Sequence, residues 1–162
     1  MTTPTPQGPI ASLNQVLSEV IDVVQEVKQA HQKVSQTHAL RTELDQLFSD
    51  LRDWARLLVD EDEVLGVSPL SNMPTVAGRT PPNLWPGPAT DDDVRAIVGE
   101  HLDRLERHVA AALSEQDDDS SRAVLAEIQR GLLDHERSLC EETGDRAPAA
   151  PDKNPGKTID DV

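Results

Sequence analysis

The chain is poor in aromatic residues: Trp, Phe and Tyr together make up 2% of its 162 residues, and Tyr is absent. Aromatic and β-branched side chains favour sheets, so their scarcity argues against a sheet sandwich. A core built from Leu, Val, Ile and Ala suits helices packed on helices. The length is enough for one domain with a real core and short for two.

Cysteine and long apolar runs are also scarce. The single cysteine, Cys140, excludes an intrachain disulfide and an all-thiolate zinc site within one chain. We interpret it as a buried structural thiol. No apolar run reaches the length that crosses a bilayer, and the N-terminus lacks the basic and apolar regions of a signal peptide. We therefore expect a soluble, cytoplasmic protein with no membrane partner.

Positive charge is the third deficit, with 15 Lys and Arg against 30 acids and a net charge of −15. Binding to DNA depends on Lys and Arg that displace counterions from phosphates. Residues 1–11 contain no Lys or Arg, and residues 145–162 have no net positive charge. Direct DNA binding is therefore not expected, whereas the acidic surface attracts cations.

Apolar residues three and four positions apart predict an all-α protein of four long helices. Ser12, Thr90 and Ser120 are predicted to cap the first, third and fourth helices, and Gly66 to end the second. Short connections join the first two and the last two helices, and a long crossover separates the pairs. This is the ferritin-like arrangement of a four-helix bundle. The helices are predicted at about 13–35, 40–65, 91–114 and 120–142, within a bundle at 12–144, between a flexible arm (1–11) and a disordered tail (145–162).

Several segments resemble the Dps family, the ferritin-like mini-cages described as DNA-binding proteins of starved cells. The resemblance covers roughly residues 13 to 142 and depends on the order and spacing of the segments. They are Val27-Lys28-Gln29-Ala30-His31, Leu65-Gly66 followed by Pro69, Thr75-Val76-Ala77-Gly78-Arg79-Thr80, Leu84-Trp85-Pro86 and Gly131-Leu132-Leu133-Asp134-His135.

The resemblance implies a hollow homo-oligomer, a dodecamer, with iron oxidation sites shared between paired subunits. Ferrous iron is oxidised there by peroxide or oxygen and stored as a ferric mineral, which protects the cell from oxidative stress. Such chemistry needs oxygen and imidazole ligands with open positions for the oxidant.

Carried over residue by residue, the family's metal ligands fall on His31, Asp45 and Asp60. Two further ligand positions carry Arg41 and Arg56, and a guanidinium cannot coordinate a metal. The resemblance therefore implies a weakened or lost ferroxidase centre, and no catalytic residue is assigned. The alternative for these acids is that they pair with the two arginines across a dimer interface.

Other acids and histidines carry open alternatives. A shifted register would put Glu43, Glu61 or Asp62 at ligand positions. Asp117, Asp118 and Asp119 either line an acidic pore, as the resemblance implies, or form a solvated loop before the fourth helix. His101 and His108 lie a heptad apart on the third helix, where hydrogen-bonded histidines are expected more than a metal site, and His135 falls on the apolar face of the fourth.

The function predicted from these observations is that of a Dps-like cage subunit for iron sequestration. One alternative is a non-catalytic shell or nucleoid-associated paralogue that co-assembles with a competent partner. A second alternative is an unrelated acidic helical bundle that binds a protein along its second helix.

Overall fold

The computed structural model describes residues 8–34, 38–66 and 90–144. These residues form four α-helices, α1 (Pro9–Lys33), α2 (His38–Val64), α3 (Asp91–Glu115) and α4 (Asp119–Gly144). Each helix has 25 to 27 residues and is therefore about 40 Å long. The predicted crossover, the C-terminal tail and most of the N-terminal arm lie outside the described residues.

The ends of the helices follow from local sequence. At α3 the prediction is confirmed, because Thr90 and Asp93 form a reciprocal capping box. At α1 it is wrong: the helix begins at Pro9, which suits the first helical position because its missing N–H has no partner there. Gly8 is the N-cap residue, and Ser12 lies inside the first turn. Residues 9–11, assigned above to the arm, are helical.

The C-terminus of α2 and the N-terminus of α4 show one confirmed and one corrected prediction. Gly66 follows α2 with a φ of 78°, a left-handed conformation that glycine adopts without the steric cost of a Cβ. At α4 the capping interaction comes from Asp118, whose carboxylate accepts a hydrogen bond from the Ser121 N–H at 2.9 Å. Ser120, predicted as the cap, is the second residue of the helix.

Contacts between the helices fix their directions. His31 near the end of α1 contacts Asp45 near the start of α2, and His108 late in α3 contacts Glu19 early in α1. Glu61 late in α2 accepts hydrogen bonds from the start of α4. Hence α1 and α4 run one way and α2 and α3 the other, so α2 ends and α3 begins at opposite ends of the bundle. The chain therefore has the ferritin-like topology that the sequence predicted.

The core lies along the centre of the bundle and consists mainly of Leu and Val. The predicted apolar positions are buried, apart from half-buried Val24, Phe48, Ala55, Ile97, Leu113 and Val124 at its margin. Between α2 and α4 the helices approach closely at Gly131. A Cβ atom there would lie 2.3 Å from the Trp54 ring. This glycine therefore makes room for Trp54, a large aromatic side chain of the core.

Candidate metal centre

The candidate centre is built on the α1–α2 face, where two of its predicted ligands meet. His31 lies in the last turn of α1 and Asp45 in the second turn of α2, and the antiparallel packing of these helices brings them together. His31 Nε2 lies 2.9 Å from Asp45 Oδ1. The His31 side chain is 32% exposed and that of Asp45 67% exposed. An imidazole and a carboxylate thus stand together on an accessible surface, as an iron-binding pair requires.

Asp60, the third predicted ligand, is not part of this pair within one chain. It is exposed near the end of α2 and lies fifteen residues beyond Asp45, about 22 Å along the helix axis. Within the part of the chain that the structure describes, no group of three His, Cys, Asp or Glu side chains could hold a metal ion. A complete centre with these residues therefore needs a second chain.

The two arginines at positions predicted for metal ligands, Arg41 and Arg56, lie on the same side of α2. Arg56 is exposed, and its Nη1 lies 3.7 Å from Asp53 Oδ1, a loose contact within one helix. Arg41 is half-buried one turn before Asp45. Neither arginine can donate a lone pair to a metal.

The acids that a shifted register would use have other positions in the structure. Glu43 Oε1 lies 2.8 Å from His135 Nδ1, and Glu61 accepts hydrogen bonds of 3.0 Å from the Ser120 and Ser121 hydroxyls. Asp62 is fully buried, and neither of its carboxylate oxygens has a hydrogen-bond partner. Burial, and after it the charge of Glu61, raises the pKa of Asp62 to about 6.

His135 is a buried counterpart of His31 and lies between α2 and α4. Its Nδ1 faces Glu43 and its Nε2 lies 2.7 Å from Asp50 Oδ2, so both ring nitrogens meet carboxylates. The Trp54 ring packs edge-on at 6.1 Å between centroids. The prediction that His135 belongs to the core is confirmed. Both ring nitrogens of this imidazole are thus engaged by carboxylates of the same chain.

Two more histidines join α1 to α3. His101 Nε2 lies 3.8 Å from Glu26 Oε2, and His108 contacts Glu19 one heptad further along. Burial lowers the pKa of His101, against the opposing charge of Glu26. Burial also raises the pKa of Glu19, against the opposing charge of His108. The two rings face different glutamates, so the structure holds them as separate helix-to-helix pairs.

The acidic corner between α3 and α4 has a structural role at its centre. Asp118 caps α4 by accepting a hydrogen bond from the Ser121 backbone N–H, and this hydrogen bond lowers the pKa of Asp118. Asp117 and Asp119 on either side are exposed. The presence of Asp118 is thus explained by its role as the cap of α4. A pore function for the three acids stays a prediction.

The sequence interpretation of Cys140 is wrong, because its side chain is exposed near the C-terminus of α4. The residue lies one position beyond the buried stripe, next to Leu139, which is 3% exposed. A rotation of 100° per helical residue carries it out of the core.

Sequence reasoning did not predict the burial of five polar residues, Glu26, Glu61, Asp62, Gln116 and Ser121. A signal for Asp62 was present, because it follows buried Leu58 by four residues and so continues the apolar stripe of α2. The partners of His135 had no such signal, since Glu43 and Asp50 approach it only through the packing of α2 on α4.

None of the described helices has the length and apolarity to cross a membrane.

No family model and no curated relative matches the chain. Among solved structures, Dps from Microbacterium arborescens in its high-iron form is similar, with a TM-score of 0.74 and 24% identity over 90% of this chain and 100% of that one. A Dps protein from Deinococcus radiodurans has a TM-score of 0.73 and 18% identity, over 88% of this chain and 89% of that one. A dodecameric thioferritin, the bacterioferritin-related protein of Bacteroides fragilis, has a TM-score of 0.68 and 16% identity, over 85% and 84%.

The fold is therefore that of the ferritin-like four-helix bundles. More narrowly, it is the single-bundle fold that the Dps proteins share, and it extends over nearly the whole of this chain.

Proposed function

We propose that this chain is a subunit of a Dps-like mini-ferritin shell that sequesters iron and limits oxidative damage, with a weakened oxidation centre of its own. The observation that carries the proposal is the His31–Asp45 pair, 2.9 Å apart on an exposed face of a ferritin-like bundle. The likeness to a Dps in a high-iron form and to a dodecameric thioferritin supports a closed homo-oligomer, a dodecamer.

The substrate in this proposal is ferrous iron, and peroxide is the oxidant. One peroxide takes up two electrons, one from each of two ferrous ions, so two metal positions are needed close together. His31 and Asp45 offer one imidazole and one carboxylate toward the first position. Arg41 and Arg56 occupy places where further ligands would stand, and each brings positive charge that repels a cation. Oxidation at this centre is therefore expected to be slow.

The same two arginines favour a second candidate, a non-catalytic shell subunit that encloses mineral made elsewhere or co-assembles with a competent partner. The net charge of −15 suits attraction of ferrous ions to the shell and gives no support to direct DNA binding.

Iron loading followed by sizing chromatography tests the proposal. Purified protein is given Fe(II) with peroxide or oxygen, and the eluate is read for protein and iron together. Iron that co-elutes with a large assembly supports the first candidate. In that case the initial rate of iron loading should be reduced by His31→Ala and unchanged by Asp134→Asn, a substitution at an exposed position of α4. Asp134 is a suitable control because it is 67% exposed and lies on α4, which packs mainly against α2 and α3.

The other outcomes separate the alternatives. An assembly that forms while iron is lost as precipitate favours the non-catalytic shell. An assembly whose loading is indifferent to His31→Ala contradicts a role for the His31–Asp45 pair. A monomer that takes up no iron contradicts both candidates and leaves an acidic helical bundle.

A further inference from the structure

Two histidine–glutamate pairs join α1 to α3, one heptad apart on each helix. His101 lies across from Glu26, and His108 contacts Glu19. Because the two helices are antiparallel, seven residues forward along α3 correspond to seven residues back along α1. The pairs therefore form successive contacts along one interface, about 10 Å apart.

The two pairs differ in burial and in distance. The side chains of His101 and Glu26 are only 14% and 10% exposed, yet His101 Nε2 and Glu26 Oε2 are 3.8 Å apart, beyond hydrogen-bonding distance. The His108 and Glu19 side chains are 39% and 20% exposed, and His108 Nδ1 lies within hydrogen-bonding distance of the Glu19 carboxylate. The first is called the enclosed pair below and the second the open pair. A proton added to the enclosed pair meets less water and no hydrogen bond between its members.

The surroundings of His101 favour its neutral form. Burial has the largest influence and lowers the pKa of His101 below its ordinary value of 6.5. The charge of Glu26 on α1 opposes this, Arg104 on the same helix adds to the lowering of the pKa, and Glu100 opposes it. The side of α3 that packs on α4 lies elsewhere, since Glu106, which accepts a hydrogen bond from α4, is about 140° around the helix from His101. The contribution of His101 to stability is therefore present above pH 6.5 and is lost as pH falls through its lowered pKa.

The open pair responds to acid with the opposite sign. Burial raises the pKa of Glu19 above its ordinary value of 4.5, the charge and hydrogen bond of His108 oppose this, Gln15 also opposes it, and the charge of Asp22 adds to the raising. The folded chain thus holds a proton at Glu19 more tightly than the unfolded chain does. This contribution to stability is present below pH 4.5 and is lost as pH rises through the raised pKa. Acidification therefore weakens the interface at His101 and not at Glu19.

We infer that the interface between α1 and α3 is an acid-sensitive joint, which opens locally at the enclosed pair while the open pair keeps the helices together nearer the N-terminus of α1. An imidazolium needs hydration that the enclosed position does not provide, and a local opening supplies it. Histidine suits such a switch because its charge changes between pH 5 and 8. The inference goes beyond the proposed function and does not depend on it, since neither pair belongs to the candidate metal centre.

Amide hydrogen exchange of the full chain at pH 7.5 and pH 5.5 tests the inference, read as protection factors so that the intrinsic pH dependence of exchange cancels. Amides of residues 22–30 and 98–105 should lose protection about threefold or more at the lower pH, since uptake of one proton shifts an opening equilibrium by up to about tenfold per pH unit. Amides of residues 12–19 should keep theirs. His101→Gln, which is neutral at both pH values, should abolish the loss. His108→Gln is the matched control and should retain it.

Equal protection of the parent chain at both pH values, or a loss that persists in His101→Gln, would overturn the inference. A titration of the His101 ring by NMR keeps it testable if His101→Gln does not fold. The midpoint in the parent should lie below 6.5, and Glu26→Gln should lower it further by removing the opposing charge. A midpoint at or above 6.5, or one that Glu26→Gln leaves unchanged, would also overturn the joint.

Discussion

The α1–α2 face and the contact between α2 and α4 each contain a histidine beside carboxylates of α2, and they differ in what surrounds it. His31 meets one acid, Asp45, at a surface where both side chains are accessible. His135 meets two acids, Glu43 and Asp50, and its own side chain is only 9% exposed. The first pair is accessible to a further group, whether a metal ion or another chain. The second is complete within the monomer and holds two helices together.

The difference shows that residue type and spacing do not separate a binding site from a structural ion pair. Both histidines fall on the apolar face of a helix, and both have acids across the groove. Exposure distinguishes the two pairs. A solvent-exposed ion pair contributes little to the free energy of unfolding, whereas removal of one partner from a buried pair is strongly destabilising. We therefore expect substitutions around His135 to change stability more than substitutions around His31, and the following variants test this.

The largest expected effect is that of His135→Leu. Without the imidazole, Glu43 and Asp50 face an apolar side chain in a half-enclosed place. The free energy of unfolding should fall by about 3 kcal/mol, the lower end of the range for a broken buried pair. His31→Ala should change it by only about 0.5 kcal/mol, because that pair is open to water. Urea unfolding of both variants measures the difference, and equal losses would contradict the assignment of the two regions.

The next effect concerns the close approach that brings α4 onto Trp54. Gly131→Ala would place a methyl group 2.3 Å from the Trp54 ring, so the ring or the helix must shift. We expect a loss of about 1–2 kcal/mol, the cost of overpacking less the gain in helix propensity.

Gly99→Ala is the control, since nothing lies within 4 Å of a Cβ there. It should raise stability by up to about 1 kcal/mol. Thermal unfolding should therefore move in opposite directions for the two variants. Gains of equal size at both positions would mean that the α2–α4 contact is looser than the geometry shows.

A further effect, which is confined to high pH, concerns Asp62 near the C-terminus of α2. Its pKa is raised from 3.8 to about 6. The folded chain therefore holds this proton more tightly than the unfolded chain does. The resulting stability is fully present below pH 3.8 and is lost as pH rises through 6. Asp62→Asn should stabilise the protein at pH 8 by about 1–2 kcal/mol, less than the full linkage value because the amide that replaces the carboxylate is itself a buried polar group without a partner.

Unfolding curves at pH 4 and pH 8 test this, and the gain should nearly vanish at the lower pH. Asp118 provides the opposite sign, because hydrogen bonds from Ser121 lower its pKa. Its contribution is present above its ordinary pKa and lost as pH falls, so Asp118→Asn should weaken the protein at pH 8. Equal behaviour of the two variants would contradict the burial of Asp62.

The sequence predicted the fold well because its signals are local. Apolar residues at spacings of three and four gave α2 and α3 their buried faces, and the box at Thr90 and Asp93 marks the start of α3. The start of α1 was predicted four residues too late and that of α4 one residue too late, because Ser12 and Ser120 resemble caps. The N-cap of α1 is Gly8, followed by Pro9, and the N-terminus of α4 is capped by Asp118.

The candidate site was predictable only in part. The meeting of His31 with Asp45 follows from the antiparallel packing of α1 and α2 and was anticipated through resemblance. The burial of Asp62 and the exposure of Cys140 were missed, although helical periodicity relates Asp62 to buried Leu58 and carries Cys140 away from buried Leu139.

The sequence by itself determined four amphipathic helices, an acidic surface and a core without Tyr, since periodicity and composition are properties of the chain alone. Only the tertiary structure decided which histidines are enclosed. His135 is held between Glu43 and Asp50 because α4 packs closely on α2 at Gly131. His31 is accessible because, among the helices that the structure describes, none lies over the outer side of α1 and α2. The physical reason is that an ion pair takes its strength and its availability from the surrounding dielectric, which is set by packing.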